Sequence, residues 1–215
     1  SEQALGTLMQ DLGIRDDLFV ATKIGLEDRE RGLQRMRDSL ERLQTKRLDL
    51  VQSHNMRGAE TMLPAMREWQ QDGRIRYIGI TTSSNDAFPR MLALMQREPL
   101  EFIQVNYSLG NRLAAERILP LAIDKGIAVL VNLPFGRGRL FSALGDRPLP
   151  AWAAEFDCRS WAQFLLKYVV SHPAVTCAIP GTTKPHHARD NIGAAFGRLP
   201  DAALRRKQEA FFDAL

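Results

Sequence analysis

The chain has 215 residues, 29 Lys+Arg against 25 Asp+Glu for a formal charge of +4, with 45% hydrophobic and 25% charged residues. This composition excludes a disordered or low-complexity chain and supplies enough apolar side chains for a substantial core. The longest apolar runs, such as 127–133, fall far short of the roughly 20 residues of a membrane-spanning helix, and Ser1-Glu2-Gln3 does not open a signal peptide, so a soluble, cytoplasmic protein is expected, with no membrane partner.

Residues 1–13 read as a helix with Ser1 at its N-cap and Leu5, Leu8, Met9 and Leu12 on one face. Short runs rich in Val, Ile and Leu then mark six strands, at 18–23, 48–54, 77–82, 102–107, 128–135 and 175–180. Helical stripes lie between them, at 32–43, 62–71, 87–96, 114–125 and 160–171, and Gly73 and Gly126 stop two of these helices. No linker or break in composition interrupts the series, so residues 1–215 are expected to form a single α/β domain. Charges interleave, as in Glu27-Asp28-Arg29-Glu30-Arg31, which reads as a solvated surface and not as a nucleic-acid interface.

The first five strands end at Lys23, His54, Thr82, Tyr107 and Phe135, spaced by 31, 28, 25 and 28 residues. That beat is one βα unit repeated, and it favours a (β/α)₈ barrel over an open doubly wound sheet. Six units are present where a barrel has eight, so about two N-terminal strands and one helix are expected to be absent from the sequence. Polar residues at the carboxyl ends of strands are then the candidates for chemistry.

Lys23 and His54 end consecutive strands, an arrangement that suits a proton-tuning cation beside a carbonyl-orienting imidazole; the plain alternative is a solvated lysine and a histidine bonded to backbone. Thr81, Thr82 and Gln104 offer hydroxyl and amide hydrogen bonds, and Tyr107 either a platform for a flat ring or a core aromatic. The segment Pro134-Phe135-Gly136-Arg137-Gly138-Arg139 combines glycines with two cations and can take an anion. The last strand leads into Gly181-Thr182-Thr183-Lys184-Pro185-His186-His187, where Thr182 or Thr183 is expected to cap a helix starting near Pro185, with Lys184, His187 and Arg189 adding positive charge. Adjacent histidines diverge on a helix and no third ligand is evident, so no metal site is expected. Cys158 and Cys177 lack metal or redox spacing and read as buried free thiols.

Together the segments Phe19-Val20-Ala21-Thr22-Lys23, Arg47-Leu48-Asp49-Leu50-Val51-Gln52-Ser53-His54, Gly73-Arg74-Ile75-Arg76-Tyr77-Ile78-Gly79-Ile80, Gln104-Val105-Asn106-Tyr107 and Ile179-Pro180-Gly181 resemble, in order and spacing, the successive signatures of the aldo/keto reductases. The resemblance implies a (β/α)₈ barrel that reduces aldehyde or ketone carbonyls of small molecules with NADPH, using an Asp, a Tyr, a Lys and a His. It assigns Lys23 and His54 to the last two roles and places the Asp and Tyr before Ser1. It further implies that Gln104, Thr81 and Thr82 hold the nicotinamide carboxamide and Tyr107 stacks on its ring. By the same resemblance the loop Pro134, Phe135, Gly136 and Gly138 is expected to contact the pyrophosphate, and Thr182, Lys184, His187 and Asn191 to meet the 2′-phosphate of the adenosine. Gly181 and His187 stand where the family often has Lys and Arg, which leaves NADH open beside NADPH. A non-catalytic cofactor-binding sensor or scaffold of the same fold is the alternative function.

Overall fold

A computed structural model describes residues 1–215. In chain order the elements are α1 (Glu2–Leu12), β1 (Ala21–Ile24), α2 (Arg29–Arg42), β2 (Leu48–Ser53), α3 (Ala59–Gln71), β3 (Ile75–Thr81), α4 (Phe88–Arg97), β4 (Phe102–Asn106), α5 (Ala114–Asp124), β5 (Ala128–Asn132), α6 (Arg139–Leu144), α7 (Trp161–Val170), β6 (Val175–Ala178), α8 (Pro185–Gly193) and α9 (Ala202–Asp213). Sheet order equals chain order, β1 to β6, and parallel ladders join β1 to β2, β2 to β3 and β5 to β6. This is the expected α/β succession, six of the eight units of a barrel. Contacts cluster into two compact units, residues 1–82 with 94–103, and residues 83–93 with 104–215.

The first unit is built on β1, β2 and β3. Leu48, Leu50, Val51, Ile78 and Ile80 of the strands are buried, as are Met36 of α2 and Met62 and Met66 of α3, so the apolar residues of the strands and the helical stripes close on one another. Strand β1 starts at Ala21 instead of residue 18, because 15–17 form a 3₁₀ turn and Leu18 and Phe19 stay largely exposed. The Asp49 carboxylate accepts from Val20 N at 2.8 Å and from Arg15 Nη2 at 3.0 Å, pinning that entry. Helix α1 departs from its expected packing: Gly6 and Met9 are buried, whereas Leu5, Leu8 and Leu12 are 40, 54 and 65% exposed. It is held instead through Glu2, which accepts from Thr22, Ser39 and Arg42. Burial works against ionisation of Glu2, but these hydrogen bonds prevail and hold it below the usual carboxylate value.

In the second unit β5 pairs with β6, and an aromatic cluster of Trp152, Phe156, Trp161, Phe164 and Phe211 fills the space among the helices. Helices α6 and α9 were not expected from the sequence. Asp201 caps α9 by accepting from Ala203 N and Leu204 N, and α9 inserts Gln208, fully buried, with its Nε2 donating to Phe164 O at 2.9 Å. Arg205 of the same helix donates to Tyr107 Oη at 2.7 Å and lies over the Tyr168 ring. Lys167 is fully buried and donates to Phe196 O at 2.7 Å and Arg198 O at 2.8 Å. Strand β5 stops at Asn132, short of residue 135, because Leu133 takes a left-handed φ of 53° that no ladder accommodates. Cys158 is buried and its thiol is pushed up to about 11 by that burial, but Cys177 is exposed, contrary to expectation, because β6 has a partner on one side only.

Candidate catalytic pair and cofactor cleft

The strand ends of the first unit bring Lys23 and His54 to one cleft of about 540 Å³, whose other walls are Gly25, Leu26, Arg31, Gln34, Arg35 and Asp38. Lys23 faces Gln52 in register across the β1–β2 ladder. Its ammonium is held below the usual lysine value by burial alone, with no neighbouring charge contributing. His54 opens the turn after β2, and a Cβ on Gly25 would stand 3.3 Å from the His54 Cβ, so the chain after β1 packs directly beside the imidazole. Gly58 permits that packing: its φ is +64°, and a side chain there would run into the Leu26 carbonyl. Asn55 N donates to Thr81 Oγ1 at 2.9 Å, so the Thr81 hydroxyl fixes the turn that carries His54. Thr82 is buried beside it.

Gln52, which sequence reasoning passed over, is fully buried with both amide heteroatoms unpartnered. The signal was present, a lone amide within an apolar strand, and such a group is costly unless something hydrogen-bonds to it.

A second cleft, of about 720 Å³, lies wholly within the second unit. This volume falls in the ~300–1,000 Å³ range of small-molecule and cofactor sites. Leu133, Pro134, Phe135, Arg137 and Gly138 after β5 form one wall, and Ile179, Pro180, Gly181 and Thr182 after β6 another. His187, Asp190 and Asn191 of α8 and Ser160 and Trp161 at the start of α7 complete it. The loop after β5 turns through four left-handed residues, Leu133, Gly136, Arg137 and Gly138. The Phe135 and Phe141 rings pack at a tilt with centroids 5.0 Å apart, and Trp161 Nε1 donates to Arg147 O at 2.9 Å, which fixes the indole. Asp190 accepts from Ser160 Oγ at 2.7 Å and Gln163 Nε2 at 2.8 Å, so its carboxylate is hydrogen-bonded within the wall.

Six of the residues expected at the cofactor line this cleft, namely Pro134, Phe135, Gly138, Thr182, His187 and Asn191; Gly136 and Lys184 stand outside its lining. Neither Thr182 nor Thr183 caps α8. Lys184 occupies the N-cap and Pro185 the first turn, while Thr182 Oγ1 accepts from Lys184 N at 3.1 Å. Gln104 is buried with its Oε1 unpartnered, an acceptor in need of a donor. Tyr107 is 1% exposed, its hydroxyl shared with Tyr168 and Arg205 and its ring stacked on Tyr168. No group of three or more potential metal-ligating side chains occurs, and no helix is long and apolar enough to cross a membrane.

The family model described as the aldo/keto reductase family matches residues 1–210. The chain belongs to the aldo/keto reductase family. Oxidoreduction is therefore its general class of chemistry. An aldo-keto reductase of Strobilurus tenacellus is 26% identical over 97% of this chain and 74% of its own length. Another, from Bacillus subtilis, is 33% identical over 65% of this chain and 45% of its own length. Among solved structures, the holo form of a Bacillus halodurans aldo-keto reductase superposes with a TM-score of 0.76 at 25% identity, covering 98% of this chain and 77% of that one. A Klebsiella pneumoniae aldo/keto reductase in complex with NADP and acetate shares the fold with a TM-score of 0.82 at 24% identity, covering 98% and 75%.

Proposed function

We propose that this aldo/keto reductase binds a nicotinamide dinucleotide, NADPH or NADH, and reduces the carbonyl group of a small molecule. The observation that carries the proposal is the second-unit cleft, where loops following two different strands and the start of α8 converge around glycines, rings and a histidine. The residues fit such a group. Gly138 and Gly181 leave open space where a side chain would stand, letting backbone approach a pyrophosphate. Phe135, Phe141 and Trp161 offer flat apolar surface for a heterocycle, Arg137 offers positive charge and His187 a hydrogen-bonding imidazole. Gln104, with its unpartnered oxygen, is suited to accept from a carboxamide N–H.

When bound, the cofactor supplies the hydride that goes to the carbonyl carbon. In the first-unit cleft His54 donates a hydrogen bond to the carbonyl oxygen and holds it in place. Lys23, desolvated and without a counter-ion, places a cation at the cleft wall that favours the ionised form of a neighbouring proton donor. Thr81 keeps the His54 turn in position.

Trp161 makes the binding step directly measurable, since it lines the cleft. Titration with NADPH and NADH is expected to quench its fluorescence in a saturable way, and Trp161→Phe to remove most of the quench. No binding at high micromolar cofactor overturns the proposal. Binding without carbonyl reduction, in a chain that also carries the family's Asp and Tyr, replaces it with the sensor or scaffold.

A further inference from the structure

The first-unit cleft contains more charge than a carbonyl alone requires. Besides Lys23 and His54 it is lined by Arg31 and Arg35, with Asp38 as the single carboxylate. Asp38 is already engaged, accepting from Gln34 Nε2 at 2.8 Å and lying 3.9 Å from Arg42 Nη1.

Helix α2 carries five arginines, and three have partners. Arg29 pairs with Glu68 at 2.6 Å and Glu30 at 3.2 Å, Arg37 donates to Gln34 Oε1 at 3.0 Å, and Arg42 pairs with Glu2 at 2.7 Å. The two without a side-chain partner, Arg31 and Arg35, are the two that line the cleft. They stand four residues apart on one helix face, where like charges repel. Arg31 is also in the first turn, next to the Asp28 cap, where the helix dipole disfavours a cation. Helix stability alone therefore argues against both residues. Two guanidinium groups a turn apart, with a lysine on the facing strand, form a fork suited to a carboxylate or phosphate, and a cleft where cations outnumber the one carboxylate concentrates anions.

We infer that Arg31 and Arg35 form an anion subsite in this cleft, so that the carbonyl substrate of the reductase carries a carboxylate or a phosphate monoester. The substrate assignment rests on the function proposed above; the anion subsite does not.

The test separates the two. Without cofactor, calorimetry measures binding of 4-(hydroxymethyl)benzoate, its methyl ester and 4-(hydroxymethyl)phenyl phosphate to the chain. At least one anion is expected to bind tenfold or more tighter than the ester, and the stronger of the two identifies the group. Arg31→Ala and Arg35→Ala should each weaken the anion about threefold or more, and the double variant should bring it to the level of the ester. Arg31→Lys with Arg35→Lys should retain part of the preference, and Arg117→Ala, on an exposed face of α5, should retain all of it. Equal binding of ester and anions, or an unchanged double alanine variant, overturns the subsite. In a chain that also carries the family's Asp and Tyr, with NADPH present, kcat/KM for 4-formylbenzoate against its methyl ester reads the same preference in turnover. Equal turnover of the two overturns the substrate assignment and leaves the reductase standing, whereas arginine-dependent anion binding without cofactor binding leaves the subsite and removes the reductase.

Discussion

The two clefts solve different problems with different materials. The first-unit cleft is walled by a lysine, two arginines, a histidine and a carboxylate, and it is held by a close backbone approach at Gly58. The second-unit cleft is walled mostly by rings, prolines and glycines with Arg137 as its cation, and its one carboxylate, Asp190, accepts hydrogen bonds from Ser160 and Gln163. Charge placed and left unpaired costs free energy and is suited to act on a ligand's reacting or anionic group. Apolar rings and open glycines cost little and are suited to hold a large, flat, phosphate-bearing one.

The sharpest way to break this contrast is at Lys23. Lys23→Met should lower carbonyl reduction about 10²-fold or more in a chain with the full catalytic set, while the cofactor titration stays within about twofold. Loss of cofactor binding in step with turnover would end the division of labour. A large effect is also expected at Lys167, which ties α7 to the chain after α8. Lys167→Met leaves the carbonyls of Phe196 and Arg198 without their donor and should cost roughly 2–4 kcal/mol in denaturant unfolding, because hydrogen bonds to charged groups contribute about 1.5–3 kcal/mol.

The glycines give a paired test. Gly58→Ala must adopt a left-handed conformation and meet the Leu26 carbonyl, so it should lose more than the roughly 1–2 kcal/mol of the conformation alone. Gly181→Ala, with nothing within 4 Å of a Cβ, should change stability by less than about 0.5 kcal/mol. Equal thermal shifts would show that the first cleft does not depend on that approach.

The smallest effect is a pH dependence in the second unit. Burial, reinforced by Arg205, holds the His172 imidazole below its usual value, and His172 Nδ1 accepts from Ala174 N at 3.2 Å, as only the unprotonated nitrogen can. As pH falls below about 6.5 the unfolded chain takes up this proton first, so stability declines from there until the folded imidazole is also protonated. His172→Gln should flatten that slope of unfolding free energy between pH 5 and 7.

All six strands were legible from their Val, Ile and Leu content, yet several ends were not. Leu18 and Phe19 look like strand residues but precede the ladder, and 133–135 continue the apolar run of β5 past the left-handed turn at Leu133. Helix α9 escaped notice because its inward residues include Gln208 and Arg205, which are acceptable inside only where Phe164 O, Tyr107 and Tyr168 receive their donors. Arg31 belongs to a run of alternating charges that reads as solvated surface, and nothing local separates it from Arg29. Their difference lies in Glu30, which turns to Arg29, and in Glu68, 39 residues from Arg29, which pairs with it and not with Arg31.

Sequence alone determined the βα rhythm, the order of the family's strand-end signatures and the candidacy of Lys23 and His54, because periodicity and motif order are properties of the chain read along its length. Tertiary structure decided which charges stay unpaired, which loops converge on a cleft and where a buried amide lacks a partner. Those depend on distances between residues far apart in the chain, and they are set only when the helices pack on the strands.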